Sequence, residues 1–150
     1  MGLLFKGNKI TVKFTAGASI TTGQVVYLSG TKEVSPAATA DSAKVIGVAD
    51  NDAAAGDSVD VVIYGITTVV ADGAIAVGDK VRASDTAGRV IAENTTPSAG
   101  HTHTENTAAS YTQNATTGSA TDTIEQGRIL GKALASAVAG GSLDILVCLA

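Results

Sequence analysis

The feature of this chain that most constrains its fold is an internal repeat. Residues 46–63 align without a gap with residues 130–147, at an offset of 84 positions. An earlier segment, residues 20–27, resembles residues 75–82 once one position is allowed to slip. A chain of 150 residues is long enough for one ordinary domain. We therefore expect a single domain built from two copies of one unit.

An insertion separates the matching parts of the second copy. Aligning Gly23 with Gly78 gives an offset of 55, so the second copy is longer by 84 − 55 = 29 residues. The stretch 94–122 spans 29 positions, lacks Val, Ile, Leu, Met and Phe, and holds nine Thr and three Ser. Such a stretch cannot bury a face of its own. We expect it to be an exposed, Thr-rich insertion.

The residues of each copy favour strands over helices. The chain has 16 Val and 10 Ile against 8 Leu, and β-branched residues fit strands best. In residues 58–63, Val59, Val61 and Ile63 occupy alternate positions, as in a half-buried strand. Turns with glycine separate such segments at intervals of roughly 8–12 residues, which is typical of a sandwich or barrel. We predict an all-β fold, and both architectures fit the pattern.

The predicted domain organisation follows from the repeat. Residues 1–15 form an extended N-terminal arm, and residues 16–150 form a single β domain. Copy one covers about 16–70 and copy two about 71–150, with the insertion inside copy two.

The N-terminal segment is basic, whereas the rest of the chain is acidic. Residues 1–32 contain four lysines and no acid, and the remainder has six bases and 14 acids, or 6 − 14 = −8. The net charge of −4 argues against nucleic-acid binding through phosphate neutralisation. A basic, partly apolar segment on an acidic body predicts an arm that docks on another protein surface. The contact candidates are Lys6, Lys9, Ile10, Val12, Lys13 and Phe14. An edge strand whose lysines prevent aggregation is the alternative.

No catalytic or cofactor-binding constellation is recognisable, so we predict a protein without enzymatic activity or cofactor. Cys148 is the only cysteine, which excludes an intrachain disulfide and a cysteine metal cluster. The two histidines, His101 and His103, lie in the insertion. On a strand they would face the same side, and a three-fold oligomer could then hold a metal on its axis. The alternative is a pair of solvated side chains. Neither a membrane-spanning run nor a secretory signal is expected.

The candidate core residues are small. Aromatic residues make up 3% of the chain, and Trp is absent. Val and Ala bury less apolar area than Phe or Trp, at roughly 25 cal/mol per Å². We therefore expect the protein to gain further burial by forming homo-oligomers.

Several short motifs occur in an order that resembles a known family. They are the pattern Gly-x-x-Ile-x-x-Gly-x-x-Val at residues 17–26 and the segments 45–49, 53–59, 77–81 and 139–147. In this order they resemble the capsid decoration, or cement, proteins of tailed bacteriophages and prophages. The resemblance covers about residues 16–93 and 124–150.

This resemblance implies a structural role on the outer surface of a phage head. Such proteins bind the major capsid protein of an assembled head and stabilise the shell by bridging its subunits. They are usually trimers and sometimes dimers, and an N-terminal segment often pairs with a shell strand. The implied location is the outer surface of the virion capsid after synthesis in the host cytoplasm, with neither nucleic acid nor membrane as a direct partner. A carbohydrate- or ligand-binding β module, a self-associating filament or fibre subunit, and an enzyme with a site shared between subunits remain as alternatives.

Overall fold

The computed structural model describes residues 4–6, 8–93 and 129–149, in which nearly all regular structure is strand. The strands in these residues are β1 (Leu4–Lys6), β2 (Lys9–Ala16), β3 (Val25–Gly30), β4 (Glu33–Pro36), β5 (Val45–Ala49), β6 (Ser58–Val70), β7 (Lys80–Ala83), β8 (Val90–Ala92), β9 (Gly131–Ala133) and β10 (Ser142–Cys148). One short 3₁₀-helix, Thr39–Lys44, precedes β5. The all-β prediction is confirmed. The predicted insertion lies outside the described residues.

Five strands of the first copy close into a barrel, which decides between the two architectures that the sequence left open. Their order is β2-β4-β3-β5-β6, and a pairing of β2 with β6 closes the ring. β2 and β4 are parallel, and the other pairs are antiparallel. In β6, Val59 and Val61 are buried between the exposed Ser58 and the half-buried Asp60, as the alternation predicts. The buried interior is formed by Ala16, Ile20, Val26, Val34, Ala49, Ala53, Val59 and Val61.

The second copy repeats this arrangement with the end of β6 and strands β7–β10. β10 pairs with β6 and β9, β9 with β7, and β7 with β8, all antiparallel. A parallel bridge between Ala71 and Val90 joins β8 back towards β6. Residues that are related by the offsets of 55 and 84 in the sequence therefore also make equivalent backbone contacts. Three backbone contacts of the first copy recur in the second. The bridge between Ile20 and Ala53 corresponds to the one between Ile75 and Ala137. The hydrogen bonds Gly23–Ala49 and Ala16–Asp57 correspond to Gly78–Ala133 and Ala71–Gly141.

The 13-residue strand β6 belongs to both copies. Ser58 at its start lies opposite Thr15 of β2, and Val70 at its end lies opposite Ser142 of β10. Val70 lies 55 positions after Thr15, and Ser142 lies 84 positions after Ser58. The end of β6 is therefore the second copy's counterpart of β2. The sequence comparison did not extend this far because the two segments share hardly any residue identities.

Nearly half of the predicted arm, residues 9–15, lies within the barrel. Residues 9–15 belong to β2, whose Val12 side chain is buried. β2 pairs with β6 on one edge, and with β1 and β4 on the other. Of the residues before β2, Leu4–Lys6 forms β1 at the end of the sheet. From Val12 to Ala16, side chains that face the core alternate with the exposed Lys13 and Thr15, and such a strand gains stability by facing a core.

The outer wall of the barrel packs with the second copy. Val25, Val48 and Val62 are fully buried, and they belong to the same apolar cluster as the interior of the second copy. That interior includes Leu143, Ile145 and other residues at the offset positions of the barrel interior. One apolar cluster thus joins the outer wall of the barrel to the interior of the second copy, and the barrel interior forms a second cluster.

Two equivalent glycines permit close strand contacts. A Cβ atom on Gly47 would lie 2.0 Å from the carbonyl oxygen of Val62, and one on Gly131 would lie 1.9 Å from that of Leu146. Each glycine therefore lies where a neighbouring backbone leaves no room for a side chain. This explains why both copies carry glycine after the first apolar residue of the repeated motif.

Candidate functional site

The lysines predicted to contact a shell are paired with acidic groups of the barrel. Lys9 Nζ forms an ion pair with Asp50 Oδ1, and both side chains are largely buried. Lys13 Nζ lies 2.9 Å from Asp60 Oδ1, with 69% of the lysine side chain exposed. Exposed pairs of this kind contribute about 0–1 kcal/mol, so Lys13 remains accessible to a partner. The side chain of Lys6 lies outside the described residues.

The apolar contact candidates have different exposures. Val12 is buried, whereas Ile10 and Phe14 are half-buried. Phe14 packs against the barrel core. These side chains therefore contribute to the stability of the barrel, and the part they offer to a partner is limited to the outer portions of Ile10 and Phe14.

Acidic residues near the turns hold the backbone in place. Asp52 Oδ1 accepts hydrogen bonds from the Thr22 backbone N–H at 2.7 Å and from the Thr22 hydroxyl at 2.9 Å. These bonds favour the charged form and lower the pKa of Asp52 below its ordinary value of 3.8. The pKa of Asp72 is also lowered, first by a side-chain hydrogen bond from Thr86. These carboxylates therefore have a structural role in the turns.

Charged groups of the second copy are also engaged within the fold. Arg82 Nε lies 2.7 Å from Glu93 Oε2, and Arg89 Nη1 lies 3.6 Å from Asp72 Oδ1. Glu93 Oε2 lacks an aligned hydrogen bond from any described group. The Arg82–Glu93 contact is therefore an ion pair without good hydrogen-bond geometry. Among residues 8–93 and 129–149, we find no cluster of His, Cys, Asp or Glu that could hold a metal ion. The metal candidates His101 and His103 lie outside the described residues.

Exposed apolar side chains mark two regions that the sequence analysis did not identify. Tyr64 and Ile66 lie on the outer face of β6 and are 53% and 39% exposed. Val77, Leu134 and Val138 lie at one end of the second copy and are 66%, 45% and 72% exposed. The repeat contained a signal for the second region, because Val77 stands where the first copy has Thr22. In the described part of the chain, no helix is long and apolar enough to cross a membrane.

Comparisons with known proteins agree with this architecture. The crystal structure of the N base of the head fibre protein gp8.5 of bacteriophage phi29 has a similar fold, with a TM-score of 0.57. The similarity covers 93% of this chain and 94% of the phi29 chain at 18% sequence identity, so it shows a shared fold. A search of curated proteins finds no match. The family profile described as phage cement protein matches residues 5–149, which include every strand except the first residue of β1. The chain therefore belongs to the phage cement protein family and is a structural protein of a phage head.

Proposed function

We propose that this protein binds the outer surface of an assembled phage head and stabilises it by bridging neighbouring subunits of the major capsid protein. The family match over residues 5–149 carries this proposal, because it includes both copies of the repeat. The likeness to the base of a phage head fibre supports the same location. A structural family of this kind also favours a role without catalysis.

The shared strand suits the fold to a mechanical role. β6 pairs with β2 along its first part and with β10 along its last part. Because one continuous backbone passes through both copies, separating them would require breaking the packed valine wall as well as sheet hydrogen bonds. Load applied at one end of the protein is therefore transmitted to the other without a flexible linker.

Bridging requires more than one shell contact for each bound particle. We propose a homo-oligomer, with a trimer favoured and a dimer as the second possibility, because linked binding sites must all release before the particle leaves. The basic N-terminal region is the second proposed contact. β1 is the end strand of the sheet, so it is suitably placed for a shell strand to pair with it.

Cosedimentation with undecorated phage heads tests this proposal. We expect the purified protein to pellet with heads and saturate at a fixed number of copies per head. Decorated heads should release their DNA at a higher temperature than bare heads. Absence of binding, or binding without any gain in the release temperature, would contradict the proposed function. Light scattering of the free protein would distinguish a trimer from a dimer and from an open-ended polymer.

A further inference from the structure

In the second copy, one end of the sheet packs against the first copy. The antiparallel pairings place the end of β7, the start of β9 and the end of β10 side by side. Three apolar residues occupy this end and are at most 1% exposed: Ala83, Leu130 and Val147. They belong to one apolar cluster with the outer wall of the first copy, which carries Val25, Val48 and Val62. A sheet face of β-branched side chains is therefore the surface on which this end packs.

Backbone hydrogen bonds fix this internal contact. The N–H of Val25 donates to the carbonyl of Gly88 at 2.9 Å, and the N–H of Gly88 donates to the carbonyl of Ala37 at 2.8 Å. Gly88 lies in the turn between β7 and β8, and a Cβ atom there would lie 2.7 Å from Cγ of Gln24. Glycine permits this close approach. The chain thus contains one complete example of the kind of surface that such an end accepts.

The same end of the first copy is partly exposed, and we call it the open end. At the offsets of 55 and 84, its residues are Leu28, Ile46 and Ile63. Leu28 is 39% exposed and lies opposite the fully buried Val34, whereas Ile46 and Ile63 are half-buried against the barrel interior. Each is as large as its covered equivalent or larger. Adjacent apolar side chains that remain exposed in this way mark an interaction surface.

The charges that border the open end nearly balance. The bordering segments are residues 6–10, 29–33, 39–45 and 62–66, together with Asp50, the ion-pair partner of Lys9. They contain four lysines and three acids: Lys6, Lys9, Lys32, Lys44, Glu33, Asp41 and Asp50. An apolar centre with so little net charge around it fits an apolar partner surface better than a charged one.

A second molecule cannot cover the open end by repeating the internal contact, because the turn differs. Val34 and Val90 make equivalent parallel bridges, so Lys32 stands two residues before Val34 as Gly88 does before Val90. Lys32 has a φ of 58° and shares the left-handed conformation of Gly88. It therefore places a side chain where the internal contact requires glycine.

The wall that a second molecule presents is also unsuitable. Val25 and Val48 of every molecule are already covered by its own second copy. The equivalent wall of the second copy carries Lys80 and Lys132, which are cross-strand partners and are exposed. Covering them would remove two charges from water, which is unfavourable. This favours a different protein as the occupant of the open end.

We propose that the open end docks on the phage shell, on an apolar β-sheet face of the shell protein that resembles the valine wall of the first copy. This inference rests on the proposed function and names the surface that performs it. Three side chains are a small part of the roughly 800 Å² that each partner buries in a standard stable interface. A single contact is therefore weak, and retention depends on several contacts acting together.

The variant Leu28→Asp tests this proposal, because it places a charge on the most exposed residue of the open end. The matched control is Ile66→Asp, since Ile66 is also 39% exposed but lies on the outer face of β6, away from the open end. Leu28→Thr and Ile66→Thr form a milder pair that keeps strand-favouring residues, so the comparison does not depend on the folding of the aspartate variants. All variants are compared with the wild type by cosedimentation with undecorated heads, by light scattering and by urea unfolding.

We expect Leu28→Asp to bind heads at least about a hundredfold more weakly, because docking would bury an unpaired charge. Leu28→Thr should bind about tenfold more weakly, because it loses apolar burial alone. Both controls should bind as the wild type does, and all the proteins should have the same oligomeric state.

Unchanged binding by the Leu28 variants, or an equal loss in the Ile66 controls, would overturn the proposal while leaving the head-binding function in place. A change in oligomeric state in the Leu28 variants would also overturn it, by assigning the open end to a contact between molecules of this protein. Failure of the wild type to bind would instead refute the proposed function.

Discussion

Replacement of Gly131 by alanine tests the account of the close contact between β9 and β10. The new Cβ would lie 1.9 Å from the carbonyl oxygen of Leu146, and contacts shorter than 3.0 Å are essentially absent from real proteins. The backbone must therefore move by at least 3.0 − 1.9 = 1.1 Å. β9 has only three residues, so this shift would disrupt much of its pairing. Two lost hydrogen bonds at about 1 kcal/mol each, with overpacking of about 1–3 kcal/mol, give about 3–5 kcal/mol.

Two other glycines supply matched comparisons. Gly47→Ala places its Cβ 2.0 Å from the Val62 carbonyl oxygen, so we expect a similar loss of stability. Gly140→Ala meets nothing within 4 Å, and its φ of +80° should cost only about 1–2 kcal/mol.

Urea unfolding followed by circular dichroism measures these differences in the free energy of unfolding. The comparison requires equal m-values, so that the midpoints report stability alone. If Gly131→Ala costs no more than Gly140→Ala, the close backbone approach does not limit this position and the reasoning fails.

Two further predictions concern the N terminus and the acid range. Deleting residues 1–7 should leave a cooperatively folding protein, whereas deleting residues 1–15 should abolish cooperative urea unfolding, because β2 closes the barrel and buries Val12; equal unfolding of the two truncations would contradict this. The lowered pKa of Asp52 means that its contribution to stability is present above the unfolded value near 3.8 and is lost as the pH falls below it. When the pH is lowered from neutral to below about 4, the free energy of unfolding should therefore fall less for Asp52→Asn than for the wild type. Identical pH profiles of the two proteins in urea unfolding would refute the role of the Asp52 charge.

The parts of the fold that were predictable are those in which local pattern and tertiary contacts agree. The alternation of Val59 and Val61 predicted a half-buried strand, and β6 buries both residues. The glycine of the repeated motif predicted equivalence of the two copies, and Gly47 and Gly131 make the same close contact. In each case the residue type is required by a contact within its own copy, so the sequence signal is strong.

The features that the sequence pattern could not specify depend on contacts between distant elements. β2 was assigned in large part to an arm because its lysines and its position near the chain start resemble an exposed segment. Its place in the wall comes from pairing with β6, about 50 residues later, and nothing local specifies this partner. The partner contacts of Lys9 and Lys13 stay a prediction, and their pairing with Asp50 and Asp60 could not be foreseen because it depends on that register.

The asymmetry between the copies also bears on the filament alternative. The second copy packs against the outer barrel wall at Val25 and Val48. If the second copy had a similar apolar wall, the barrel of another molecule could pack there, and repetition of this contact would build a filament of unlimited length. Lys80 and Lys132 occupy that wall and lie opposite each other. Covering them would remove two like charges from water, at a cost of several kcal/mol for each ion. These lysines therefore disfavour a filament in which further molecules repeat the contact between the two copies of one chain. Association with a shell or with further subunits must then use other surfaces.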